Sequence, residues 1–125
     1  MKLGSKWLTK AKRFLEVAQN HIREGYFDFA CLNAQQAAEF SLKALLMAKT
    51  GYKPLTHSIT ELLDAVSEIQ KVPDEVYECR RIEEHYIQAR YPDARMNEYT
   101  REEAEEAVKC AEVILSFVEG FFEEA

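Results

Sequence analysis

Helix-breaking residues are scarce in this sequence: 125 residues contain only four glycines and three prolines. A chain so rarely interrupted has few points at which a helix must stop. Cysteine is scarce too. Cys31, Cys79 and Cys110 lie far apart and show none of the paired spacings of a zinc site or a redox motif. Each falls within a helical pattern, so at least two are expected as buried, inert thiols in a reduced, cytoplasmic protein that needs neither metal nor cofactor. Long apolar runs are missing: "ALLMA" is far short of the ~20 residues of a membrane span. The N-terminal "MKLGSKWLTKAK" has no apolar stretch long enough for a signal peptide. A surplus of cations is missing as well, since 16 Lys and Arg face 22 Asp and Glu, a net charge of -6. That excludes a general, sequence-blind grip on nucleic acid, while leaving room for a small local basic site. Gly-rich phosphate loops, nucleophile elbows and carboxylate–histidine metal motifs are all absent.

What is present is helical periodicity. Leu8, Ala11, Leu15, Ala18 and Ile22 recur at three- and four-residue steps and line one face of a first helix. Gly25 ends it. "FDFACLNAQQAAEFSLKALLMAK" runs unbroken to Gly51, and its Ala30, Ala34, Ala37, Ala38, Ser41 and Ala44 would admit neighbouring helices closely, which predicts the central helix. After the connection around Pro54, "SITE" forms a capping box from Ser58 and Glu61, worth ~1 kcal/mol at the cap. Ile59, Leu62, Leu63, Val66 and Ile69 continue that third helix as a stripe. Pro73 opens a fourth, carrying Val76, Cys79, Ile82 and Tyr86, which must stop by Pro92. Thr100 and Glu103 form a second capping box, and Ala104, Ala107, Val108, Ala111, Leu115 and Val118 carry the fifth helix towards Phe121 and Phe122. No segment alternates with period two. The expected fold is a single all-α domain, residues 1–125: an antiparallel, up-and-down bundle of four main helices plus one shorter helix.

The chemistry is concentrated in "CRRIEEHYIQARYPDAR", residues 79–95. At roughly 100° per residue, Val76, Cys79, Ile82 and Tyr86 share the core face, and His85 lies roughly 130° away, towards solvent. Arg80 and His85 would be roughly 140° apart, so joining them requires a distorted helix or a second chain. Histidine can take a proton from a 2′-hydroxyl or give one to a leaving oxygen, and arginine can hold phosphate charge, so Arg80 and His85 are the candidate catalytic pair. The alternative is a solvated face of weak ion pairs among Arg80, Arg81 and Glu84. His21 reads as a cation at a helix C-terminus, His57 as part of a turn, and Glu39 with Lys43 as a helix salt bridge or a polar seam.

These residues resemble a known family. "NAQQAAEFSLKALL", with Ala34, Gln36, Ala37, Glu39 and Lys43, followed by "HYIQARYPD" and "EEAEEAVKCAEVILSFV", resembles the HEPN domain (higher eukaryotes and prokaryotes nucleotide-binding) over about Trp7 to Phe122. The resemblance implies a helical bundle, usually a homodimer, and two functional branches. One comprises metal-independent ribonucleases of toxin–antitoxin type with Arg, four to six residues, then His, a spacing that Arg80 and His85 match. Two departures stand out: Arg81 follows Arg80 where Asn, Asp or His is common, and Ile87 occupies the position of a tyrosine that a partner antitoxin modifies. The other branch, with "RYPD", accompanies a minimal nucleotidyltransferase and assists nucleotide or RNA binding. There Arg90, Tyr91 and Arg95 are the phosphate- and base-facing groups, with Lys43 as a further phosphate-binding cation. The companion is the preferred reading; the ribonuclease and a ligand-free helical adaptor are its rivals.

Overall fold

The computed structural model describes residues 3–123. Helices α1 (Ser5–Glu24) and α2 (Phe27–Thr50) form an antiparallel hairpin joined at Gly25, whose positive φ closes the first helix. α3 (Ile59–Ser67) follows the Pro54 connection. Residues 74–88 then make one continuous rod in three parts: α4 (Asp74–Tyr77), the 3₁₀ helix η1 (Glu78–Glu84) and α5 (His85–Gln88). α6 (Arg101–Glu123) closes the bundle. No strand occurs among the described residues. The all-α arrangement, with four main helical segments and the shorter α3, is the one expected.

α2 is the central element, packed against α1, α3, α6 and the rod. Its Ala30, Ala34, Ala37, Ala38, Ser41 and Ala44 are all buried, so neighbours approach its backbone from several sides. The stripes on α1, α3 and α6 supply Leu8, Ala11, Ala18, Ile59, Leu62, Leu63, Val66, Ala104, Val108, Leu115 and Val118 to the same core. Ile69 does not join them; α3 ends at Ser67 and leaves that side chain exposed.

The α3 cap differs from the expected box. Ser58 Oγ accepts the Glu61 N–H at 3.1 Å, but the returning carboxylate comes from the rod. Glu83 Oε1 accepts from Ser58 Oγ at 3.0 Å and from the Thr60 N–H at 2.8 Å. The Thr100 box is complete: Glu103 N–H donates to Thr100 Oγ1 and Thr100 N–H to Glu103 Oε1.

The cysteines depart most from expectation. Cys79 of η1 and Cys110 of α6, 31 residues apart in sequence, form a disulfide with Cα atoms 5.3 Å apart. Only Cys31 is a free, buried thiol, its pKa pushed up to about 12 chiefly by burial. The expectation of at least two inert thiols in a reduced protein fails because spacing along a chain says nothing about two helices that pack side by side. No described helix is long and apolar enough to cross a membrane.

Candidate functional site

The 3₁₀ stretch decides where the side chains of residues 79–95 point. A 3₁₀ helix has three residues per turn, so positions three apart eclipse one another. Val76, Cys79, Ile82 and His85 follow that step, and all four are buried. The α-helical wheel turned Tyr86 inwards and His85 outwards; the tighter winding buries His85 and leaves Tyr86 only half-buried. His85 is only 7% exposed and shares a 2.8 Å hydrogen bond between Nδ1 and the Tyr99 hydroxyl. Burial pushes its pKa down to about 4, against an opposing pull from Glu103, so the imidazole is neutral at physiological pH. Burial likewise raises the Tyr99 phenol to about 12.

Arg80 points elsewhere. It is exposed, and its Nη1 donates to the Tyr77 carbonyl at 3.0 Å. No hydrogen bond joins it to His85 among the described residues. Five residues along a 3₁₀ helix correspond to about 120° of rotation, so one chain does not bring the pair together. The cavity beside His85, about 350 Å³, is lined by Glu78, Glu84, Glu103 and Glu106, with Arg81 as the cation among its described lining residues, a poor receptacle for phosphate.

The "RYPD" segment is built differently. The rod ends at Gln88, four residues before Pro92, and the chain turns as Arg90 and Tyr91 N–H both donate to the Ile87 carbonyl. The loop from there to Thr100 stands opposite the start of α2. Between them lies a cavity of about 610 Å³ lined by Arg90, Tyr91, Arg95, Tyr99, Phe27 and Phe29, with Asp28 and Glu98 also on its wall. Arg90 is exposed; its Nε donates to the Tyr86 carbonyl at 3.2 Å and its guanidinium carbon sits 4.4 Å from the Tyr86 ring centroid. Its terminal nitrogens make no hydrogen bond or ion pair to described residues, so they are available to an anion. Arg95 lies 4.0 Å over the Tyr99 ring and pairs with Glu103 at 2.9 Å, leaving Nη1 buried without a partner among the described residues. Burial pushes the Glu103 carboxyl up, but the Arg95 and Thr100 hydrogen bonds outweigh it and hold its pKa below the usual range. Tyr91 is half exposed at the rim. Three of the four residues assigned to phosphate or base contact therefore meet around one cavity.

Lys43 does not join them. It is 5% exposed, and its Nζ is held by Glu39 Oε2 at 2.8 Å inside the bundle. Its charge is neutralised there, so it offers a phosphate nothing. It belongs instead to a polar seam of Gln35, Glu39 and Lys43, one helical turn apart on α2, which reaches the surface at His57. His57 stacks on Tyr86 with ring centroids 3.9 Å apart and planes 13° apart. The four-residue spacing of Gln35, Glu39 and Lys43 in an alanine-rich helix signals a polar stripe in the sequence; the contact to His57, 18 residues beyond Glu39, is visible only in three dimensions.

Comparison with known proteins bears on the family and the fold. A family model described as the HEPN domain matches residues 5–121. A Methanocaldococcus jannaschii protein named "Putative toxin MJ1304" is 26% identical, the match covering 99% of this chain and 91% of that protein. The crystal structure of TT1696 from Thermus thermophilus superposes with a TM-score of 0.89 at 40% identity, covering 96% of this chain and 98% of the other. ST0689, described as an archaeal HEPN homologue, gives 0.77 at 32% identity over 96% and 98%. A HEPN domain protein of Thermotoga maritima gives 0.78 at 28% over 96% and 99%.

Proposed function

Because this chain belongs to the HEPN domain family, we propose that it binds a nucleotide or a short RNA in the cavity between the start of α2 and the loop after α5, as the companion of a minimal nucleotidyltransferase. The observation that carries the reading is the convergence of Arg90, Tyr91 and Arg95 on that cavity. Arg90 offers an uncommitted guanidinium fork for phosphate, and Tyr91 offers an exposed ring for a base. Arg95 is already paired and serves chiefly to fix the loop to α6 through Glu103. Exposed Tyr26, Phe29, Tyr91 and Met96 lie around the same region and would suit the face of a homodimer or the partner enzyme.

Titration of the purified protein with ATP and with uridine 5′-monophosphate tests the reading. Arg90→Ala is expected to weaken binding about tenfold, the loss of one charge-assisted contact. Wild-type protein that binds neither nucleotide nor RNA, and that co-purifies with no nucleotidyltransferase, would leave only the adaptor role.

One observation favours a second reading, metal-independent RNA cleavage by Arg80 and His85: the relative from M. jannaschii carries a toxin name. Within one chain the two groups are apart, so this reading requires a dimer that supplies Arg80 from one copy and His85 from the other. RNA cleavage in the presence of chelator, abolished by His85→Ala and by Arg80→Ala, would support it. Absence of cleavage by the wild type would remove it.

A further inference from the structure

Among the described residues, a buried ion pair intrudes on the apolar interior at one place. Gln35, Glu39 and Lys43 are 0%, 2% and 5% exposed, surrounded by the alanines and leucines of α2. A buried ion pair adds little net stability; apolar residues of similar size often serve as well or better. The group this pair supports is His57, whose side chain is 51% exposed. Lys43 Nζ donates to Glu39 Oε2 at 2.8 Å and Gln35 Nε2 donates to Oε1 at 3.1 Å. Both carboxylate oxygens also stand 3.1 Å from His57 Nδ1. An ionised carboxylate only accepts, so Nδ1 carries the proton, and in the neutral imidazole Nε2 is left as a bare acceptor. Stacking on Tyr86 holds the ring plane.

The half-exposed His57 side chain lines a third cavity, about 350 Å³, together with Ser58, Arg81, Glu83, Glu84, Tyr86 and Ile87. Tyr86 also carries Arg90, which lines the larger cavity, so the two openings flank one Tyr86–Arg90 unit. A bare lone pair repels phosphate and accepts from a hydroxyl. Beside a phosphate-gripping arginine, the hydroxyl that distinguishes one nucleic acid from the other is the ribose 2′-OH.

We infer that the ligand groove continues from Arg90 past Tyr86 to His57, where Nε2 accepts a hydrogen bond from a ribose 2′-hydroxyl, making His57 the residue that selects RNA over DNA. Glu39 is a positioning residue that fixes the imidazole tautomer. This rests on the nucleotide-binding reading above.

Fluorescence anisotropy with a short labelled oligouridylate and the matching oligodeoxyuridylate tests it, because the two probes differ only at the 2′-position. Wild-type protein is expected to bind the ribo probe about fivefold tighter, the contribution of one neutral hydrogen bond. His57→Phe keeps a ring on Tyr86 but removes the acceptor; it is expected to equalise the probes, bringing the ribo-to-deoxy ratio from about fivefold to about one. Arg90→Ala should weaken both alike and preserve the ratio, a result that a merely structural His57 would not produce alongside the first. Equal binding of the two probes by the wild type, or a preserved ratio in His57→Phe, would overturn the inference while leaving nucleotide binding intact. Binding of neither probe would overturn the inference, and the ATP and uridine 5′-monophosphate titrations then decide the nucleotide-binding reading separately.

Discussion

His85 shows at the residue scale how one turn of backbone changes chemistry. Its folded pKa of about 4 lies below the ordinary 6.5, so the unfolded chain binds the extra proton first as pH falls. Stability should therefore be full above about pH 6.5 and fall progressively towards pH 4, by up to about 3 kcal/mol from this group. His85→Gln should flatten that part of the profile relative to wild type, measured by urea denaturation at about pH 4.5 and pH 7; parallel profiles would contradict the buried, neutral imidazole. Gly4 is the second sensitive position. It caps α1 with φ 92°, and a Cβ there would run into the carbonyl of Ala44. Gly4→Ala is expected to cost about 2 kcal/mol or more, since the left-handed backbone and the collision add. An unchanged melting temperature would refute that.

At the scale of elements, the rod of residues 74–88 organises its surroundings. Its 3₁₀ winding turns His85 inwards, frees Tyr86 to stack on His57, and points Glu83 at the start of α3. Burial pushes the Glu83 carboxyl up, but hydrogen bonds from Thr60 and Ser58 outweigh it and hold its pKa below the usual range. Glu83→Ala should therefore cost about 1 kcal/mol, as loss of a helix cap does, and should raise amide exchange at the start of α3. Loss of stability without local exchange there would place the effect elsewhere. The sequence announced a cap at Ser58 but assigned the carboxylate to Glu61, because a capping box is a local pattern and Glu83 arrives from another element.

For the whole molecule, the Cys79–Cys110 disulfide ties the rod to α6 across the bundle. Closing a loop of 31 residues should stabilise the fold by about 3 to 4 kcal/mol on the chain-entropy account. Reductant and Cys79→Ser should each lower the free energy of unfolding by about that much and shift the midpoint equally, and reductant should have no further effect on the variant. A midpoint indifferent to both would argue that the pair is unbonded in solution. Light scattering at micromolar concentration is expected to show a dimer; a monomer would remove the shared-cleft ribonuclease reading and leave the nucleotide-binding proposal standing.

Periodicity, scarce breakers and two capping signals determined the helix count, the centrality of α2 and the composition of most of the core, because these follow from local spacing and hydrophobic burial. The sequence also determined that Arg90, Tyr91 and Arg95 lie near one another, since a proline-ended helix keeps them in one short loop. Only the tertiary structure decided the burial of His85, the silencing of Lys43 by Glu39, the cysteine pairing and the contact that brings His57 to the seam. Each of these depends on which faces of distant helices meet, and on a 3₁₀ turn that rotates side chains by about 120° rather than about 100° per residue; packing against α2 and α6 sets that geometry, and no local spacing encodes it.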